Sequence, residues 1–483
     1  MEVSLPLSTT AKPSPARPAT VPSPMGANAP SVALPLTFVL TGLVALLTGV
    51  SCLLVRPAIL AEYHYNQYVI ATTHLFVLGW ICSIVMGAMY QLVPVALETK
   101  LYSEKLARWQ LAFHVVGFIG MVWMFRVWNM KQVGHFGCVF ATGVGLFVYN
   151  IARTLRRVPK WNVTASAVTA ALCWFSLTVT AGLFIAIGKC SYESTEGLAT
   201  AEGVRSLVGG LRELAGFMSH FDAISAMHAH AHLGGVGFFT MLIVGVSYKL
   251  IPMFMLSEIQ SPRRAVWSVA LLNVGLAGSF VTILLRSPWK LAFALVVMAA
   301  LVVYGIELAA ILRARKRRVM DWGIKYFLTA VGLYAPVSAL AMVLAWPTLP
   351  LNPFTGQLEN LYGFLGLIGV VSFAIMGMLY KIVPFLVWFG RYSRQIGRAQ
   401  VPALADLYSA KLQAVGYWSY LAGLSVTGTA IMFSSEIFVR YGAALLALSV
   451  LTLAINVALM LSHYFRPSLQ PLSVPSSAIP KTV

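Results

Sequence analysis

Charge is what this chain has least of. Asp, Glu, Lys and Arg make up 10% of its 483 residues, while 59% are hydrophobic; a soluble globular domain is about a quarter charged. No water-facing surface can be assembled from that mixture, which excludes a soluble enzyme. Thiol motifs are also missing. The five cysteines, Cys52, Cys82, Cys138, Cys173 and Cys190, form no CxxC and no CxxCH. That excludes a thiolate zinc site, a redox disulfide pair and a covalent c-type haem. Acidic residues are few, 15 against 34 Lys and Arg. The basic excess lies in short loops between apolar runs, where it reads as a membrane orientation signal and not as a nucleic-acid surface.

Apolar runs are what is plentiful. They recur at the length of about 20 residues that crosses a bilayer core, and the predicted spans are 34–55, 69–95, 107–126, 132–152, 164–188, 228–253, 264–285, 289–313, 325–346, 361–388, 411–433 and 438–461. The fold class expected is all-α: a polytopic membrane domain over 34–465, with about twelve helices. Residues 1–33, rich in Pro, Ser, Thr and Ala, read as a disordered tail, and 466–483 as a second short tail. Loops after even-numbered spans carry the Lys and Arg, for example Arg153, Arg156, Arg157 and Lys160, or Arg313, Arg315, Lys316, Arg317 and Arg318. The positive-inside rule then makes both tails cytoplasmic, in a bacterial-type inner (plasma) membrane. The long segment 189–227 is expected to carry a short surface helix.

An internal repeat organises the spans. The second reads HLFVLGWICSIVMGAMYQLVP from His74, the sixth HLGGVGFFTMLIVGVSYKLIP from His232, and the tenth FLGLIGVVSFAIMGMLYKIVP from Phe364. Gly79/Gly237/Gly369, Gly87/Gly245/Gly377, Tyr90/Tyr248/Tyr380 and Pro94/Pro252/Pro384 are identical in all three. Repeats four spans apart define three four-helix units. Glycines eight apart share a helix face; they serve close packing first and clearance for a flat cofactor second. The tyrosine and proline are expected to mark the inner interface and the helix end.

Of nine histidines, His64, His74, His220, His228, His230 and His232 gather at the outer ends of the second and sixth spans. Ionisable groups within a membrane are costly and usually functional, and imidazole ligates haem iron and copper. His74 and His232 hold one repeat position, so facing helices would let them sandwich a haem. His228 and His232 share a helix face and can chelate a metal, while His230 points elsewhere. The bland alternatives are an interfacial, hydrogen-bonded His74 and a polar or proton-relay HAHAH run. Arg126 with Trp128 and Lys131, and Arg286 with Trp289 and Lys290, sit at matching ends of the third and seventh spans. They could neutralise haem propionates or serve as interface anchors. His114 reads as packed or hydrogen-bonded, and His463 as solvated. Glu307 is a buried carboxylate that either moves protons or pairs with Arg313 or its neighbours.

THLFVLGW at His74 and HAHAHLGGVGFF at His228–His232 resemble the large subunit of the haem-copper oxidase superfamily, which includes cytochrome c oxidase subunit I and nitric-oxide reductase. The resemblance implies twelve helices in three arcs, respiratory electron transport, and haem, b-type here, held by His74. It implies copper near the sixth-helix histidines, with metal ligands drawn from His74, His228, His230 and His232. It also implies an electron donor of the cytochrome c or quinol type and small partner subunits. The chain departs where the family has a histidine pair on the seventh helix and two histidines on the tenth, offering WSVALLNVGLAGSF and Phe364. The function expected is therefore a haem-binding oxidoreductase subunit with a degenerate binuclear site. The alternatives are a non-catalytic haem- or copper-binding assembly protein and, third, a solute transporter.

Overall fold

The computed structural model of the chain describes residues 30–190, 213, 216, 217 and 220–470. Both tail expectations, apart from the residues next to the bundle, and most of the 189–227 segment lie outside the described residues. The long helices are α1 (Ala33–Val55), α2 (Gln67–Ala96), α3 (Glu104–Arg126), α4 (Met130–Leu155), α5 (Val163–Lys189), α6 (Ala223–Met255), α7 (Pro262–Leu284), α8 (Lys290–Arg313), α9 (Trp322–Leu344), α10 (Pro353–Arg391), α11 (Ala410–Met432) and α12 (Glu436–Phe465). Each predicted span is present as a helix, and 11 of these helices are long and apolar enough to cross a membrane. α11 has the length but mixes Tyr, Ser, Thr and Gly into its apolar sequence; Gly416, Gly423 and Thr427 pack against α12, and Tyr417 and Tyr420 against α9 and α10. The protein is a multi-pass, all-helical membrane protein.

The three units fold alike. In each, the first helix packs on the second and the third on the fourth, and contacts of α4 with α5 and of α12 with α1 join the units. α2, α6 and α10 meet at the centre and are the most buried helices. A helix apolar all round its circumference belongs in such a place. The repeat glycines explain the close approach. A Cβ on Gly87 would lie 2.4 Å from Phe38 on α1, one on Gly245 2.2 Å from Ala167 on α5, and one on Gly377 2.6 Å from the Gly323 carbonyl on α9. They are packing residues. Tyr90, Tyr248 and Tyr380 are buried among the helices. Tyr90 and Tyr248 donate to or share hydrogen bonds with Gln110 and Ser268 on the third helices. Pro94 and Pro252 do lie in the last turns of α2 and α6, whereas α10 runs on to Arg391 beyond Pro384.

Symmetry extends to the turns. Trp128, Arg286 and Ser434 close the α3–α4, α7–α8 and α11–α12 turns at φ 57°, 53° and 51°. In each, the next N–H reaches back to the carbonyl five residues before it, at Met124, Thr282 and Ala430, a left-handed cap that satisfies the orphan carbonyls of a helix end. The third helices open on capping serines, Ser103, Ser261 and Ser409, and a residue of the fourth helix holds each serine N–H. That residue is Asn150, Glu307 and Asn456 in turn. Glu307 is thus the second unit's version of a structural asparagine. Its oxygens accept from Gln260 N at 2.7 Å, Ser261 N at 2.9 Å and Arg264 Nε at 2.7 Å. Its ion-pair partner is Arg264, not Arg313.

Each central helix also widens at one place. π-helical segments occupy Leu75–Cys82, Leu233–Thr240 and Leu365–Ser372, starting immediately after His74, His232 and Phe364. The Thr240 and Ser372 hydroxyls donate back to the carbonyls of Gly235 and Leu367, five residues earlier. Widened turns of this kind are frequent at functional sites.

Candidate haem and metal site

The N-terminal halves of α2, α6 and α10 diverge around a cavity of about 1430 Å³, lined by His64, His74, His228, His230 and His232. Sites for one drug-sized ligand run to about 300–1,000 Å³, so this one has room for a macrocycle.

Backbone carbonyls set the histidine tautomers. Nδ1 of His74 bonds to Ile70 O at 2.8 Å, Nδ1 of His230 to Thr178 O at 3.0 Å, and Nδ1 of His232 to His228 O at 2.7 Å. A carbonyl only accepts, so each Nδ1 carries the hydrogen and each Nε2 keeps its lone pair. His232 uses that lone pair: the Tyr362 hydroxyl donates to its Nε2 at 3.2 Å, and the two rings stack. Among the described residues nothing bonds to Nε2 of His74 or His230. These two lie near enough for a charge on one ring to act on the other. His74 rests against Phe125 at 4.5 Å between centroids, and His230 stands over Gly182 on α5, where a Cβ would meet its ring at 2.9 Å. All of the predicted ligand histidines therefore reach one cavity. His74 and His232, paired by repeat position, differ in what occupies their Nε2, and His230 faces α5.

At the edge of the same cavity, His64 Nε2 lies 3.0 Å from His228 Nε2 and 3.8 Å from Glu359 Oε2. Burial disfavours charge on the His64 ring and holds its pKa below the ordinary imidazole value. Glu359 and Tyr362 escaped sequence reasoning. The polar stretch QLENLY opening an otherwise apolar helix was the available signal.

Cations ring part of the cavity. Arg286 and Lys290 line it, as does Lys189, which donates to the Tyr65 hydroxyl. Arg126 is exposed and is not among the lining residues. Trp128, not Arg126, is the turn counterpart of Arg286, so the apparent match between FRVWNMK and LRSPWK is offset by two residues. Gly235, Gly363 and Gly366 line the cavity with open space where a Cβ would stand. Clearance thus comes from glycines outside the repeat pattern.

The remaining histidines have ordinary roles. His114 is buried, with Nε2 at 2.8 Å from the Ser83 hydroxyl. His135 is paired with Gln132, and the His220 ring with the Gly216 carbonyl. His463 is not simply solvated, because its Nδ1 lies 2.9 Å from the Tyr392 hydroxyl, which also accepts from Ser468 N.

Residues 25–130, which include His74, match the family model of cytochrome C and quinol oxidase polypeptide I. The fold is similar to a heme-copper terminal oxidase dimer solved by cryo-EM. The TM-score is 0.60 at 12% identity, over 92% of this chain and 85% of that one. No curated protein matches the sequence. Residues 25–130 are thus similar to that family, and the chain as a whole shares the fold of the solved oxidase. The family match is confined to residues 25–130, and the likeness elsewhere is one of fold.

Proposed function

We propose that the chain is a haem-binding membrane oxidoreductase subunit that passes electrons through a non-covalently held, b-type haem. One observation carries this reading: His74 and His230, on different helices, point bare Nε2 lone pairs into one large cavity while a carbonyl anchors each Nδ1. A haem-iron ligand needs that tautomer and that second bond. The donor set fits the group, and so do the open flanks at Gly235, Gly363 and Gly366. His74 would hold the iron from α2 and His230 from α6. His232 is the alternative α6 ligand, once Tyr362 releases its Nε2. Arg286, Lys290 and Lys189 would balance the propionates. When bound, haem supplies a reversible one-electron step.

The protein's own contribution is to hold two neutral imidazoles and to surround them with apolar residues. The donor would be a cytochrome c or a quinol, in a complex with small partner subunits. Both chain ends would face the cytoplasm across a bacterial-type plasma membrane, since the Lys- and Arg-rich loops share one side. A difference spectrum of purified protein, reduced minus oxidised, tests the proposal. A b-type Soret and α band that disappears in His74→Ala and His230→Ala, and persists in His232→Ala and His463→Ala, is the expected result. A colourless protein from haem-replete cells sinks it.

A second reading, a non-catalytic haem-binding assembly protein, is favoured by Phe364 and by a seventh helix without histidine. Reductant-driven consumption of oxygen or nitric oxide would exclude it.

A further inference from the structure

We propose that His64, His228 and Glu359 form a metal site of their own, holding a divalent first-row transition-metal ion through two imidazole nitrogens and one carboxylate oxygen. The site does not rest on the haem reading, because none of its ligands is His74 or His230.

Three separate elements supply the donors: the segment leading into α2, the first half of α6 and the first turns of α10. Their ligand atoms all lie within 4.8 Å of one another. Two donors on a tetrahedral ion at 2.0–2.1 Å are about 3.3 Å apart. The separations here, 3.0 Å between the imidazoles and 3.8 Å from nitrogen to carboxylate, bracket that value.

The hydrogen bonds around His64 have fixed directions. Gln357 Nε2 donates to Ala61 O at 2.7 Å, so the Gln357 oxygen is free to accept. Asn360 Nδ2 donates to that oxygen at 2.9 Å and to Glu62 O at 2.7 Å. The Asn360 atom facing His64 Nδ1, at 3.1 Å, must then be its oxygen. Hence Nδ1 of His64 carries the hydrogen, and Nε2 presents a lone pair to His228 and Glu359. Gln357 and Asn360 are both buried. They form the fixed outer layer that metal-bound histidines require. A lone pair and a carboxylate converging on one point attract a cation. Without a cation an N–H on His228 Nε2 points at the His64 lone pair; an ion takes the place of that proton, which moves to His228 Nδ1 and leaves the imidazole neutral.

Two histidines and one carboxylate suit zinc, iron(II), cobalt(II) or copper(II), and leave at least one coordination position open. All three ligand residues line the large cavity, so that position is accessible from it. Asp222 and Lys290, one charge of each sign, line the same cavity.

Full-length protein in detergent, stripped with a chelator, can be titrated with Co²⁺ while its visible d–d bands are followed. Saturation at about one equivalent per chain and reversal by Zn²⁺ are expected. His64→Gln and Glu359→Gln should each weaken binding by at least about 100-fold, and Asn360→Ala by about 10- to 100-fold. X-ray absorption of the Co²⁺-loaded wild type should show two imidazoles and an oxygen, a readout that survives if a variant fails to fold. Wild type without saturable binding, or folded His64→Gln and Glu359→Gln variants that bind like wild type, overturns the site. A simple N–H···N bond between His64 and His228 would give that outcome. Co²⁺ binding by a protein that carries no haem would sink the haem proposal and leave this one standing.

Discussion

The first two units and the third share a backbone plan but not a chemistry. α2, α6 and α10 all widen into a π-helix at the same repeat position, yet the residue before it is His74, His232 or Phe364. The widened turn is therefore a packing property of the central helices, present with or without an imidazole. What distinguishes the units is the side chain placed at that turn. The third unit contributes a polar first turn instead, with Gln357, Glu359, Asn360 and Tyr362 all turned toward the other two.

Substitutions at equivalent positions can break this comparison. The largest contrast should lie between His74→Ala and Phe364→Ala. The first abolishes the haem bands. The second keeps them, while losing about 3–5 kcal/mol of stability through truncation of a buried aromatic, as read from thermal unfolding in detergent. Loss of the bands in both would show that α10 also holds the cofactor.

Next comes the carboxylate that replaces a structural asparagine. Glu307→Ala strands two backbone N–H groups and Arg264, and should cost about 3 kcal/mol. Glu307→Asn restores the residue type of the other two units and should recover part of that loss. A proton-conducting Glu307 would instead show its main effect on turnover, with unfolding unchanged.

A smaller contrast concerns the glycines. Gly245→Ala drives a methyl to 2.2 Å from Ala167 and should destabilise by about 1–3 kcal/mol, whereas Gly369→Ala meets nothing nearer than 3.4 Å and should be close to neutral. The smallest effect is expected at the turns. Ser434→Gly relieves a left-handed backbone at φ 51° and should raise stability by up to about 1 kcal/mol.

The glycine pair shows how much could be read in advance. Spacing put Gly79 and Gly87 on one face and assigned them to packing, which requires only knowledge of helical periodicity. That Gly245 faces Ala167 closely while Gly369 has room depends on the neighbouring α5 and α9, which no local pattern encodes. The same limit applies to His74 and His232. The repeat makes them equivalent, and Tyr362 makes them different. Arg126 was matched to Arg286 by composition, but turn geometry aligns Arg286 with Trp128.

Bilayer physics made the fold legible. A chain so poor in charge must satisfy its backbone within helices, and apolar runs of spanning length, punctuated by basic loops and repeated motifs, specify their number, their grouping in fours and the gathering of histidines at one end. Side-chain function was decided elsewhere. His64 and Glu359 lie on opposite thirds of the sequence, and the tautomer of His230 depends on a carbonyl of α5. Hydrogen-bond direction and ligand convergence act over about 3 Å, so they arise only where packing brings distant segments together.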